Sequence, residues 1–247
     1  MKSLPVHVRF GGTVKIVTWN MKWGGKAATW QYMVDDIAPD LAFLQEARPP
    51  AMFQDKCFIY QRVPAENYTW GSAIYSPRLP ITERAVAGHE GWVVAGEMTL
   101  PNGMDVIVVS VHGSMISSPK MGYVFPNLDN LFRRDLRPSL EGREFIVGGD
   151  LNASRLIYKN YPRAYPTDAH GEFFDWVESH GFVNCHKKFH DTEEQTVFTA
   201  NTKTPYQNDY LFVSEGLSPF VTSCNVLKNS DTLRLSDHIP VVMELAI

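Results

Sequence analysis

Short apolar runs recur along this chain and constrain its fold more than any other feature. They are rich in Val, Ile, Phe and Tyr and are bounded by Gly, Pro, Asn or Asp, a pattern typical of β-strands. The runs cover residues 15–19, 41–44, 71–75, 92–98, 106–111, 144–147, 210–213, 220–227 and 239–245. A chain with this many strands must bury several sheet faces, which favours sheets packed together.

A few segments have helical periodicity instead. Residues 27–38 carry an apolar stripe that ends at Pro39, and residues 127–140 and 170–180 carry similar stripes. Many strands with few helices between them predict an α+β fold with helices outside the sheets. No repeat or low-complexity linker interrupts the 247 residues, so we expect residues 1–247 to form a single domain.

The overall composition is that of a globular protein without a strong charge bias. Hydrophobic residues make up 44% of the chain, charged residues 20%, and the formal net charge is −4. This balance lacks the global basic field of a passive nucleic-acid binder, although it leaves room for a local basic groove. Nothing in the sequence specifies an oligomeric state.

The cysteines and the N-terminal segment indicate a cellular location. Cys57, Cys185 and Cys224 lie far apart, and they form neither a disulfide framework nor a cysteine zinc signature. The first residues contain no continuous apolar segment of a signal peptide, and no apolar stretch approaches the ~20 residues of a membrane span. We therefore expect a reduced, soluble cytoplasmic protein that does not insert into membranes.

Polar residues stand at the ends of several apolar runs. Asn20, Glu46, His112 and the pair Asp150 and Asn152 each follow a run. Asp209 and the pair Asp237 and His238 precede one instead. If strands of opposite direction alternate, the ends of some and the starts of others meet at one rim of a sheet. The sequence therefore predicts that all these side chains converge.

Alternation along a strand predicts which of these residues pair. Asp150 and Asn152 are two apart, so in extended chain both side chains point the same way. Asp237 and His238 are adjacent and face opposite sides, which leaves Asp209 as the better partner for the His238 ring. Gly148 and Gly149 leave room beside Asp150 for close approach of backbone or ligand.

The chemistry of the set indicates metal-assisted phosphoester hydrolysis. Glu46, Asn20 and Asp237 offer hard oxygen ligands, which suit Mg²⁺ or Mn²⁺, and Mg²⁺ commonly binds substrate phosphate as well. Asp150 would take a proton from a water that Asn152 positions. The two histidines, His238 held by Asp209 and His112 on another side, would stabilise the phosphoryl charge. No Ser or Cys lies in a GxSxG context, so direct attack by water is favoured over a covalent intermediate.

The order of the short motifs resembles a known superfamily. TWN, LQEA, WGSAIYS, VSVH, GGDLNAS, NDYLFVS and LSDHIPV occur as they do in the endonuclease/exonuclease/phosphatase superfamily, from about residue 15 to about residue 245. The resemblance implies a DNase I-like four-layer αββα sandwich of two mixed β-sheets, with Mg²⁺-dependent attack by water. It also implies a principal metal ligand at Glu46 beside Asn20, with Asp237 near the metal. The implied water-activating pair is Asp150 and Asn152, and the catalytic histidine is His238 paired with Asp209.

The substrate class is less constrained by the sequence. His112 stands where AP endonucleases resemble a motif with a tyrosine. The histidine favours the other branches of the superfamily and makes AP-site repair a weaker prediction. The loop after Asn152 alternates cations with aromatic rings, a pattern of single-strand binding surfaces. Its candidate substrate-binding residues are Arg155, Tyr158, Lys159, Tyr161 and Arg163.

Three functions follow from these observations. The first is a nuclease that acts on DNA or RNA, with a single-stranded nucleic acid favoured as the substrate. The second is a phosphatase or phosphodiesterase acting on a small or lipid substrate, such as an inositol phosphate or sphingomyelin. The third is a binding module that has lost catalysis, and the complete set of polar residues argues against it.

Overall fold

The computed structural model describes residues 12–51, 58–113, 125–156, 168–198 and 206–247. Its strands are β1 (Thr13–Gly24), β2 (Leu41–Ala47), β3 (Phe58–Arg62), β4 (Gly71–Tyr75), β5 (Thr82–Arg84), β6 (Val93–Thr99), β7 (Asp105–His112), β8 (Glu144–Asp150), β9 (Phe182–Asn184), β10 (Asp209–Ser214), β11 (Val221–Val226) and β12 (Val241–Ala246). Every predicted run contains a strand. The strands that the sequence pattern missed are β3, β5 and β9, which all lie at sheet edges. An edge strand buries less surface and so carries a weaker apolar signal.

The predicted helices are confirmed. Their segments are α1 (Ala27–Gln31), which continues as a π-helical turn (Tyr32–Ile37), then α2 (Phe125–Asn130), a second π-helical turn (Leu131–Leu136), α3 (Arg137–Leu140) and α4 (Ala169–Ser179). The sequence missed the short α5 (Ser230–Leu235) and a 3₁₀ turn (Ser218–Phe220). Asn229 caps α5, and its side chain accepts hydrogen bonds from the backbone of Asp231 and Thr232. Within the described ranges, no helix has the length and apolarity needed to cross a bilayer.

The strands form two mixed six-stranded sheets. The orders are β11-β12-β1-β2-β4-β3 in the first and β5-β6-β7-β8-β10-β9 in the second. In the first sheet β1 and β2 run parallel, as do β7 and β8 in the second, and the other neighbours run antiparallel. This is the predicted α+β architecture of two mixed sheets.

Packing places the sheets face to face with helices outside, which completes the four layers. Phe43 of the first sheet and Ile146 of the second belong to one central buried cluster. The next residue in β8, Val147, faces the opposite way and packs in a cluster with Phe132 and Phe173 from the helices. A third cluster joins α1 to the outer face of the first sheet. Because both faces of the central strands are buried, their sequences are continuous apolar runs rather than alternating ones.

Candidate active site

Three polar residues form a row across the second sheet at one rim. In the parallel pair β7 and β8, His112 lies opposite Asp150, and in the antiparallel pair β8 and β10, Asp209 lies opposite Asp150. All three side chains are buried. The convergence of strand ends and strand starts predicted from the sequence is therefore present in the structure.

The first sheet contributes Asn20 and Glu46 to the same rim. Asn20 Nδ2 donates to Asp150 Oδ2 at 2.9 Å and lies 3.3 Å from Glu46 Oε1. One amide group therefore contacts two carboxylates that belong to different sheets. The pairing of β1 with β2 becomes irregular between Asn20 and Gly24, which lets these side chains turn towards the second sheet.

His238 enters the site from the segment before β12. Its Nδ1 lies 2.9 Å from Asp209 Oδ2, so the pairing predicted from strand alternation is present. The segment is anchored to β1, because the Trp19 indole Nε1 donates to the His238 carbonyl at 2.9 Å. His238 Nε2 and His112 Nε2 each lie 3.7 Å from Asp150 Oδ2. Both imidazoles thus face the same carboxylate oxygen.

Burial and charge separate the protonation states of the two histidines. Burial alone would lower the pKa of His238, but Asp209 and Asp150 outweigh it and raise the pKa to about 10. Burial lowers the pKa of His112 to about 4, although Asp150 opposes the change. At neutral pH the site therefore holds an imidazolium at His238 and a neutral imidazole at His112.

The pKa of the Asp150 carboxyl is raised above that of an ordinary aspartate. Burial raises its pKa; His238 opposes that rise and Asp209 adds to it. A carboxylate with a raised pKa holds a proton more readily than an ordinary aspartate. Asp150 is therefore a better proton acceptor than an ordinary aspartate.

Asn152 is held by a turn rather than by extended chain, which corrects the prediction from alternation. β8 ends at Asp150, and Asn152 has a φ of 49°. The Asn152 backbone N–H donates to Asp150 Oδ1 at 2.9 Å, and its Nδ2 donates to the Gly113 carbonyl at 3.0 Å. The Asp150 side chain thus closes a local turn that the strand period cannot describe.

The two glycines before Asp150 serve close packing within the protein. A Cβ at Gly149 would lie 1.8 Å from the Val111 carbonyl oxygen, and one at Gly148 would lie 2.4 Å from the Phe43 ring. The expected close approach is therefore that of a neighbouring strand and of the facing sheet.

Backbone strain concentrates at this rim. Among described residues other than glycine, positive φ occurs at Ala38, which ends the first helix, and at Lys22, Trp23, Glu46 and Asn152. Such conformations cost about 1–3 kcal/mol each and cluster where function requires them. The surrounding contacts maintain the strain, since the Trp23 N–H donates to Glu46 Oε2 at 2.8 Å.

Asp237 has a partner that the sequence analysis missed. Its Oδ2 lies 3.0 Å from Lys22 Nζ, so a cation of the chain already engages the carboxylate that was predicted to lie near the metal. Lys22 follows Asn20 by two residues, and this nearness to a predicted site residue was the sequence feature that could have indicated the pair. Trp23, beside it, is 73% exposed.

Arg155 is engaged by residues of the protein itself. Its guanidinium pairs with Asp175 at 2.7 Å and Glu178 at 3.1 Å, and it lies over the Phe174 ring. These partners all belong to α4, whose proximity no sequence pattern showed. The role of Arg155 in substrate binding stays a prediction. The remaining candidates of that loop lie outside the described residues: Tyr158, Lys159, Tyr161 and Arg163.

The residues at the rim fit a hard divalent cation. Glu46 and Asp150 each bring a carboxylate oxygen to the Asn20 Nδ2 atom. Carboxylate oxygens are the ligands that Mg²⁺ or Mn²⁺ prefers. Asp150, Asp209 and His238 also place ligand atoms within 4.8 Å of one another. Asp209 Oδ2 and His238 Nδ1 are already hydrogen-bonded to each other, and Asp150 is the candidate base, so Glu46 is the better candidate for a metal ligand.

Comparison with known proteins agrees with this geometry. The model of the Endonuclease/Exonuclease/phosphatase family matches residues 17–238, a range that includes Asn20, Asp150 and His238. The chain belongs to this family. It is accordingly a metal-dependent phosphoester hydrolase. Among curated proteins, none is similar enough in sequence to match it.

Solved structures of similar fold include two AP endonucleases. The crystal structure of AP endonuclease LMAP from Leishmania major has a TM-score of 0.72 and 16% identity, over 95% of this chain and 88% of that chain. An AP endonuclease from Archaeoglobus fulgidus has a TM-score of 0.68 and 18% identity, over 93% of this chain and 98% of that one. At these identities the likeness establishes the DNase I-like fold of this family member, and the substrate is a separate question.

Proposed function

We propose that this family member is a Mg²⁺-dependent nuclease that hydrolyses phosphodiester bonds of DNA or RNA by in-line attack of water. The observation that carries the proposal is the double contact of Asn20 with Glu46 and Asp150, beside the hydrogen-bonded pair of His238 and Asp209. It combines a cation site, a base and a fixed imidazolium at one rim.

The protein groups divide the reaction between them. Asp150 accepts the proton of the attacking water, and Asn152 belongs to the turn that fixes Asp150. As the water oxygen bonds to phosphorus, the bond from phosphorus to the leaving oxygen breaks. The imidazolium of His238 donates a hydrogen bond to a phosphoryl oxygen. Neutral His112 lies 3.7 Å from the Asp150 oxygen that His238 also faces.

Glu46 would hold the cation, with Asn20 keeping the Glu46 and Asp150 carboxylates in place. Bound there, Mg²⁺ would neutralise phosphoryl charge and act as a Lewis acid. We propose that Asp237 lies near the cation without binding it directly, because Lys22 Nζ already pairs with Asp237 Oδ2 at 3.0 Å. That pair places an ammonium group at the edge where a substrate phosphate would enter.

A basic and aromatic groove supports a nucleic acid over a small substrate. Its lining includes the cations Lys22, Lys26 and Arg234, the exposed Trp23 ring, the half-buried Phe198 ring and Asp237. Cations contact phosphates and rings stack on bases, which is the pattern of surfaces that bind single strands. The two similar structures named above are AP endonucleases, which supports the same substrate class.

The proposal is tested with an end-labelled single-stranded oligonucleotide in Mg²⁺. We expect cleavage that EDTA abolishes and that His238→Ala lowers by on the order of 10² or more in kcat. His180→Asn is the matched control, since His180 lies exposed at the end of α4 and stacks on Trp176. Parallel assays use duplex DNA, duplex DNA with an abasic site, RNA and an inositol polyphosphate. Turnover of the inositol polyphosphate alone would overturn the nuclease proposal in favour of a small-molecule phosphatase.

A further inference from the structure

A second cluster of metal-ligating side chains lies in the segment that follows β9. The His190 N–H donates to the His186 carbonyl at 3.0 Å, so the segment forms one helical turn. Residues four apart on such a turn lie on the same face. The two imidazole rings accordingly stack with centroids 4.2 Å apart.

Glu194 completes this cluster. His186 Nε2 lies 4.0 Å from Glu194 Oε2, and His190 Nδ1 lies 3.9 Å from Glu194 Oε1. One ligand atom from each of the three residues lies within 4.8 Å of the others. Ligands at zinc-like distances around a tetrahedral ion are about 3.3 Å apart, so a small inward movement would suffice.

His190 uses Nε2 for its hydrogen bonds, which leaves Nδ1 available to bind a metal. His190 Nε2 lies 2.9 Å from the Cys224 carbonyl oxygen, an acceptor only, so Nε2 carries the proton. Its Nδ1 lone pair therefore points towards Glu194. Metal-ligating histidines commonly donate their second ring N–H to a backbone carbonyl in this way.

A buried nitrogen of His186 indicates a ligand independently of the distances within the cluster. The residue is only 2% exposed, and within the described ranges its Nε2 has no hydrogen-bond partner. A buried polar atom left unpaired costs about 1–3 kcal/mol, so proteins rarely keep one without a reason. Coordination of a cation at this nitrogen would satisfy it.

We propose that His186, His190 and Glu194 form a Zn²⁺ site separate from the phosphoesterase centre. Two imidazoles and one carboxylate suit zinc, whereas Mg²⁺ prefers oxygen ligands alone. Water completes the fourth position. The adjacent Glu193 accepts hydrogen bonds from Ser154 at 2.7 Å and from the Tyr210 hydroxyl at 2.8 Å, so the ion would stabilise a segment that contacts β10 and the chain after Asn152.

The test measures zinc binding by the full chain after removal of metals. Isothermal titration with Zn²⁺ in excess Mg²⁺, which occupies the oxygen site, should show about one Zn²⁺ per chain for the wild type and for Glu46→Gln. Glu194→Ala and His190→Ala should each weaken this binding at least about tenfold, because loss of even an outer-shell partner of a ligand costs about 10–100-fold. Glu194 is half exposed, so its variant should fold even if one at buried His186 does not.

His180→Ala is the matched control, because it removes an exposed histidine outside the cluster. Co²⁺ provides a second readout, since its visible absorption reports the coordination geometry. Unchanged zinc affinity in both Glu194→Ala and His190→Ala would overturn the proposal. Loss of the zinc stoichiometry in Glu46→Gln would also overturn it, since the ion would then belong to the phosphoesterase centre. Neither outcome depends on whether the enzyme is a nuclease.

Discussion

Asn20 Nδ2 and Asp150 Oδ2 form a 2.9 Å hydrogen bond between two strands that belong to opposite sheets. The same amide lies 3.3 Å from Glu46 Oε1. This contact fixes the spacing between the proposed base and the proposed metal ligand. It also places an N–H donor, rather than an anion, between two carboxylates that would otherwise repel each other.

Replacement of Asn20 should therefore lower catalysis without unfolding the protein. We expect Asn20→Ala to reduce kcat by about tenfold or more, because Asp150 and Glu46 lose their common donor. Steady-state kinetics and a thermal unfolding curve would check this. A kcat within twofold of wild type would contradict the positioning role of the amide.

Glu46→Gln should raise the Mg²⁺ concentration needed for half-maximal activity. The change removes the carboxylate charge and keeps the shape, so we expect a shift of about tenfold or more. Glu178→Gln is a control with the same chemical change. Glu178 lies on α4, where it pairs with Arg155 and Lys187 outside the active site. An identical Mg²⁺ titration in Glu46→Gln and wild type would show that the cation binds elsewhere.

Asp209→Asn should move the alkaline limb of the rate profile. Asp209 and Asp150 raise the pKa of His238 to about 10, so the imidazolium required for catalysis persists over the neutral range. Without the Asp209 charge, we expect the alkaline limb to move towards the ordinary histidine pKa near 6.5. The measurement is kcat against pH for both proteins, with Asp175→Asn as a control at an exposed carboxylate. Superimposable alkaline limbs would exclude His238 as the titrating group.

His238 should also make folding stability depend on pH. Its pKa is about 10 in the folded protein and near 6.5 when unfolded, so its stabilising effect is complete below pH 6.5 and is lost as pH rises towards 10. In EDTA, the unfolding free energy of wild type should exceed that of His238→Gln most at pH 6. The difference should shrink towards pH 10, by on the order of a few kcal/mol. Denaturant melts across this range would test it, and a constant difference would argue against a charged His238.

Trp23→Ala should weaken binding of single-stranded nucleic acid. Its exposed indole lies in the groove with Lys22, and loss of one stacking ring costs about 1–3 kcal/mol per base. Lys22→Ala should instead reduce the salt dependence of binding by about one ion. Fluorescence anisotropy at several salt concentrations separates the two effects. Lys187→Ala serves as the control, and equal affinities in all four proteins would exclude this groove.

Much of the fold was predictable because strands that are buried on both faces have continuous apolar runs in the sequence. Strands such as β8 are covered on both faces, so residues 144–147 form a continuous apolar run that ends where the polar rim begins. The edge strand β5 (Thr82–Arg84) lacks that burial and left no such run. The short α5 left no helical stripe and is stabilised by its Asn229 cap. The assignment of residues 1–247 to a single domain stays a prediction.

The sequence predicted which residues form the candidate site, but it predicted fewer of the contacts between them. Strand ends identified His112, Asp150 and Asp209, and alternation identified the partner of His238. The same alternation was wrong for Asn152, because a turn with positive φ follows Asp150 at once. Arg155 and Lys22 show a second limit, since their partners Asp175 and Asp237 come from distant parts of the chain.

By itself, the sequence determined which residues are buried in strands, which polar residues stand at the strand ends and to which family the motifs belong. These properties depend on residue type and local spacing. Only the tertiary structure decided that one Asn20 amide contacts two carboxylates and that Lys22 pairs with Asp237. Asn20 and Asp150 are 130 residues apart, and their contact depends on how the two sheets pack rather than on any local pattern.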